Sequence, residues 1–141
     1  MRKLIYLLPL FLLFACAEDK KGSETNENPS IEGFVEGKIL FERNCAACHQ
    51  KSGAPQVKIY PPLKNSDYLQ ANQHKIACII RNGVNENLTV NGKEYTIKMQ
   101  GFSNFSAQEI GQISNYISNA WGNDFGVKTT EQVIEELKNC E

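Results

Sequence analysis

Cys45-Ala46-Ala47-Cys48-His49 is the stretch on which the reading of this chain turns. Two thiols three positions apart, followed at once by an imidazole, admit several chemistries. A Cys-x-x-Cys pair acts as a dithiol redox centre in a βαβ setting, but no such pattern surrounds this one. It could be half of a zinc site, yet a second Cys/His pair at suitable spacing is missing. It could be a structural disulfide in an exported protein. The adjacent His49 favours covalent haem attachment. Thiols at this spacing reach the two vinyl groups on one porphyrin edge and form thioethers, and the histidine turns its ring to the iron.

Upstream, Arg2-Lys3 precede an apolar run from Leu4 to Phe14, with Ala15 and Cys16 after it. The run is too short to cross a bilayer comfortably, and its charged start and small-residue end describe a secretory signal. Leu13-Phe14-Ala15-Cys16 resembles the lipobox of bacterial lipoproteins, with Phe14 bulkier than is usual there. That implies residues 1–15 are a lipoprotein-type signal peptide and Cys16 is acylated; an ordinary signal, with Cys16 incidental, is the alternative. Residues 16–32 are polar and charged and read as a flexible linker, because they bury too little to offset their ordering entropy.

Residues 33–141 form the expected domain, and the 126 residues left after cleavage suffice for one. Losing Arg2 and Lys3 leaves 13 basic against 16 acidic residues, a charge of −3. No basic patch invites nucleic acid.

Within the domain, apolar residues at three- and four-residue spacing predict a helix from Gly33 towards Cys45. Short helices follow over Ser66–Ala71 and His74–Asn82, with Gly83 placed for a left-handed C-cap. Leu88-Thr89-Val90, Asn91-Gly92 and Lys93-Glu94-Tyr95 spell a hairpin with a type I′ turn. Ser106-Ala107-Gln108-Glu109 is a capping box opening a helix to Ala120, whose buried face comprises Ile110, Ile113, Tyr116, Ile117 and nearby Trp121. A last helix opens at Thr129 or Thr130 and ends near Asn139. The expected fold is all-α, four to five helices around one haem, with a short β-hairpin before the distal loop.

A second axial ligand follows by elimination. Beyond the initiator the chain has one methionine, Met99, and besides His49 one histidine, His74. Met99 stands fifty residues after His49 in the loop Lys98-Met99-Gln100-Gly101-Phe102, where core packing has little need of it. His74 opens a helix and reads as a surface residue. Histidine–methionine ligation favours the ferrous state.

These features resemble the class I cytochromes c from about Gly37 to Asn123. Gly37, Phe41 and Cys45, four apart, resemble that family's N-terminal helix, and Ile113 and Tyr116 its partner helix. Tyr60-Pro61-Pro62-Leu63 is similar to the proximal loop. The resemblance implies that the Pro61 carbonyl accepts the Nδ1–H of His49, that Leu63 packs on the haem, and that Arg81 offers a cation to a propionate. For Pro-Pro the alternative is a rigid surface turn, and for Arg81 a solvated helix-end charge. Gln100 follows Met99 where the family often has proline, and the Asn91-Gly92 hairpin is expected to supply the missing stiffness.

Cys78 and Cys140 remain, and an oxidising compartment invites a disulfide between them; two free thiols are the alternative. The implied function is electron transfer without catalysis, by an exported protein anchored to a membrane by lipid and facing the periplasm or extracytoplasmic side. Its partners would be a quinol-oxidising complex, a dehydrogenase or a terminal reductase. Two rivals stand beside this reading: a haem subunit or domain of a redox enzyme complex, and a peroxidase or gas sensor if Met99 is displaceable.

Overall fold

Helix α1 (Ile31–Asn44) begins two residues before the expected domain boundary and runs directly into the cysteine motif. The computed structural model describes residues 31–55 and 59–140; the expected signal peptide, Cys16 and most of the 16–32 linker lie outside them. At Cys45 the backbone stays near helical values (φ −116°, ψ −28°), so a one-turn helix α2 (Ala46–His49) continues the path. With this turn the described residues hold six α-helices, against the four to five that the sequence predicts. Gln50, with φ of 57°, then turns the chain away.

Helix α3 (Asp67–Ala71) is capped by Ser66, whose hydroxyl accepts from the Leu69 N–H at 3.2 Å. The helix expected from His74 is split into a 3-10 turn at Gln73–Lys75 and helix α4 (Ile76–Asn82). Strands β1 (Leu88–Val90) and β2 (Lys93–Tyr95) pair antiparallel, Leu88 opposite Tyr95. Asn91 and Gly92 both have positive φ, 51° and 74°, as the type I′ turn requires. The Ser106 capping box opens helix α5 (Ala107–Asn119), and a second box at Thr129 with Gln132 opens helix α6 (Thr130–Lys138).

The core forms where α1 crosses α5. Gly37 makes the crossing close: a Cβ there would sit 2.1 Å from the Gln112 carbonyl oxygen and 3.1 Å from Tyr116 Cβ. One turn on, fully buried Phe41 packs its ring 5.4 Å from Tyr116 and 5.2 Å from Trp121, centroid to centroid. Such tilted and edge-on pairs contribute about 0.5–1.5 kcal/mol each beyond their burial. On the other side of α5, Val133 of α6 packs against Gly111, and Ile76, Ala77 and Ile80 of α4 complete the cluster.

Gly83 departs from expectation. Its φ of 74° is positive, but ψ of −165° is not that of a left-handed helix cap. The glycine serves approach instead: a Cβ there would lie 2.2 Å from the Met99 carbonyl oxygen. The end of α4 and the Met99 segment therefore meet backbone to backbone.

Candidate haem site

Cys45 and Cys48 lie three residues apart on one helical turn, which the His49 N–H closes by donating to the Cys45 carbonyl at 3.0 Å. That spacing places both thiols on one side of the turn. They are not bonded to each other. Burial, with Cys48 as neighbour, pushes the Cys45 thiol up to about 11. Tyr60 is also pushed up, first by its hydrogen bond with the Cys48 sulfur.

His49 is nearly buried, and burial holds its imidazole below the usual histidine range; the hydrogen bond to Pro61 opposes this only in part. The Pro61 carbonyl lies 3.1 Å from Nδ1 and can only accept, so Nδ1 carries the proton. The ring is then neutral with a free Nε2 lone pair, the form in which imidazole ligates a metal.

Asn123 holds this proximal loop in place, a role that no sequence motif announces. Buried, it donates from Nδ2 to the Leu63 and Ile117 carbonyls (3.0 and 2.9 Å) and accepts the Asn65 N–H at Oδ1 (3.1 Å). The loop end is thereby tied to the end of α5.

Met99 is fixed by Val84, a second residue the sequence reading missed. Each donates its N–H to the other's carbonyl at 2.9 Å, an isolated antiparallel bridge. The Phe102 N–H donates to the Ile80 carbonyl at 3.0 Å, and a Cβ on Gly101 would meet the Arg81 and Asn82 carbonyls. The Met99 segment is thus held both by the end of α4 and by a bridge that keeps the register of the hairpin, Leu88 opposite Tyr95. The Asn91 turn docks elsewhere, exchanging hydrogen bonds with Asp67 at 2.7 and 3.1 Å.

One cavity of about 310 Å³ gathers these groups: Cys45, Cys48, His49, Pro61, Leu63 and Met99 all line it. Its walls are largely apolar, with Leu69, Ile79 and Phe102 from the helical side and Val90 and Tyr95 from the hairpin. Two thiols, a neutral imidazole and a thioether around an apolar space form a donor set suited to a covalently attached haem. Among the described residues no group of three or more His, Cys, Asp or Glu side chains is arranged to hold a metal ion, so the zinc reading finds no complete donor set there.

Two candidates stand outside the cavity. Exposed His74 lies in the 3-10 turn. Arg81 donates from Nη1 to the Ser103 carbonyl at 3.1 Å, and its Nε is buried without a partner. Cys78 and Cys140 are joined as a disulfide, with Cα atoms 5.4 Å apart.

The sequence profile of cytochrome c matches residues 34–121, the span from α1 through Trp121 that encloses the cavity. The chain belongs to the cytochrome c family. As a cytochrome c it carries one covalently bound haem c and transfers electrons. It is similar to cytochrome c-552 of Thermus thermophilus, 28% identical over 99 residues that cover 67% of this chain and 76% of that protein. It is also similar to the cytochrome c subunit of a quinone alcohol dehydrogenase from Gluconacetobacter polyoxogenes, 27% identical over 107 residues, 74% of this chain. The corresponding subunit from Gluconobacter oxydans is 27% identical over 104 residues. This cytochrome spans less than a quarter of the length of either subunit.

Proposed function

We propose that this cytochrome is a monohaem electron carrier, exported and held at a membrane surface by lipid on Cys16, with its haem bound through Cys45 and Cys48 and ligated by His49 and Met99. The observation that carries the reading is the convergence of both thiols, the oriented His49 ring and the clamped Met99 on one apolar cavity. When bound, haem supplies a one-electron ferric–ferrous couple.

The chain's own residues set the conditions for that couple. Pro61 fixes the His49 tautomer and raises the basicity of Nε2. Val84 holds the backbone of Met99, which opposes displacement by small ligands and favours a carrier over a peroxidase or gas sensor. The apolar walls exclude water from the ring faces. Cys16 at the end of an apolar run, and the polar stretch after it, support an anchor with a tether. Such an anchor concentrates a carrier near membrane-bound donors and acceptors, among them quinol-oxidising complexes, dehydrogenases and terminal reductases.

The ferric spectrum of a Met99→Ala variant tests the ligand set. The long-wavelength thioether-to-iron band is expected in the wild type and lost in the variant; its persistence would remove Met99 from the iron. Radiolabelled fatty acid is expected to mark the wild type and not Cys16→Ser. Unlabelled wild-type protein would sink the anchor.

A second reading, a subunit of a redox enzyme, draws support from the relatives that are alcohol dehydrogenase subunits. Solubilisation in mild detergent separates the two: a carrier migrates alone, and a subunit migrates with a dehydrogenase in fixed stoichiometry.

A further inference from the structure

Helix α4 lies between two attachments. At its C-terminal end it carries the Met99 segment, through Ile80 to Phe102, Gly83 against Met99 and Val84 to Met99. At its N-terminal end it lacks a side-chain cap of its own. Glu136 of α6 supplies one from outside: its Oε1 accepts the Ala77 N–H at 2.7 Å. The other oxygen, Oε2, pairs with Lys128 Nζ, which also donates to the Gln73 carbonyl at 2.7 Å in the turn before α4. The Glu136 side chain is only 9% exposed, so these bonds form largely out of water. The next residue, Cys78, is covalently tied to Cys140 just beyond α6.

We propose that α6, through Glu136 and the Cys78–Cys140 bridge, positions α4 and thereby sets how firmly Met99 is held over the haem site. The inference rests on Met99 being the distal ligand. Helix α4 has seven residues, too few to persist on intrinsic propensity. A helix this short keeps its place by what grips its ends. Loss of the cap leaves the Ala77 N–H unsatisfied at one end, and the strain is relieved at the other, where opening requires only the Val84–Met99 pair and the Phe102 bond to part. Glu136 and the bridge are positioning groups, since neither lines the haem cavity.

Imidazole binding to the ferric holoprotein reads this opening, because imidazole takes the iron only when Met99 has left. Glu136→Ala, and separately Cys78→Ser with Cys140→Ser, are expected to bind imidazole roughly tenfold more tightly than wild type, with the global unfolding midpoint followed in parallel. Glu136→Gln keeps an oxygen for the Ala77 N–H and is expected to recover most of the wild-type value. Equal imidazole affinities in all forms, with any loss confined to the global midpoint, would overturn the inference while leaving Met99 as ligand. A wild-type ferric spectrum without the thioether band would overturn the ligand assignment and the inference together.

Discussion

Gly83 and Gly92 share a φ of 74° but differ in their surroundings: a Cβ on the first would collide with Met99, and one on the second would meet no non-neighbouring atom within 4 Å. Gly92→Ala incurs the left-handed penalty of about 1–2 kcal/mol, and Gly83→Ala, at ψ of −165° in a region reserved for glycine, one of about 1–3 kcal/mol. Only Gly83→Ala must also displace the Met99 carbonyl, an overpacking worth a further 1–3 kcal/mol or so. Gly83→Ala is therefore expected to weaken the thioether-to-iron band, whereas Gly92→Ala lowers the melting temperature and leaves the band intact. Equal effects on the band would assign to the hairpin turn the stiffening role that the sequence suggests for it. Asn123 supports a second residue-scale expectation. Its truncation to alanine removes partners from two carbonyls and one N–H, of which the Ile117 bond is buried and the other two part-buried, at about 1–3 kcal/mol for a buried unsatisfied group. Chemical denaturation of Asn123→Ala should show a loss of roughly that size or more; an unchanged midpoint would mean that water replaces the amide.

At the scale of elements, the caps carry both the legibility of the fold and its acid sensitivity. Helices α5 and α6 were readable because Ser106 with Glu109, and Thr129, announce their starts locally. The crossing of α1 on α5 was readable only through the family resemblance of Gly37, Phe41 and Tyr116. The Val84–Met99 bridge carries no residue signal of its own and emerges only as a continuation of the hairpin's register, four residues beyond Leu88 and Tyr95. Asn115 shows the same limit, exchanging bonds with the Lys128 backbone at 2.8 and 2.9 Å without any flanking signal. The Ser106 backbone and hydroxyl hold the Glu109 carboxyl below its usual 4.5. A carboxylate lowered in the fold stabilises above its unfolded value, and that contribution disappears as pH falls through the folded one. Glu109→Gln should therefore change little at neutral pH and flatten the loss of melting temperature below about 4.5. A wild-type acid limb in the variant would assign the sensitivity to other carboxylates.

Across the whole molecule, the cysteines were the most legible feature, and the division of the domain's four into two pairs follows from position. Cys45 and Cys48 open onto the cavity, while Cys78 and Cys140 close a connection across 62 residues between α4 and the C-terminus. A closure of that length restricts the unfolded chain by roughly 4 kcal/mol in the chain-entropy model. Denatured, unreduced holoprotein is accordingly expected to show no reactive thiol from these four positions; two would place Cys78 and Cys140 in the reduced state. What the sequence could not convey is that the two halves of the site have separate supports. Asn123 ties the proximal loop to α5, and α4 carries the distal one. On the proposed ligation by His49 and Met99, both supports serve the same end, an iron with no position open to an outside ligand. A redox titration followed through haem absorbance, run with and without carbon monoxide, tests that claim most directly. A carrier closed by His49 and Met99 gives one one-electron step at the same potential in both conditions. A potential driven upward under carbon monoxide, because the gas binds the ferrous iron, would contradict it.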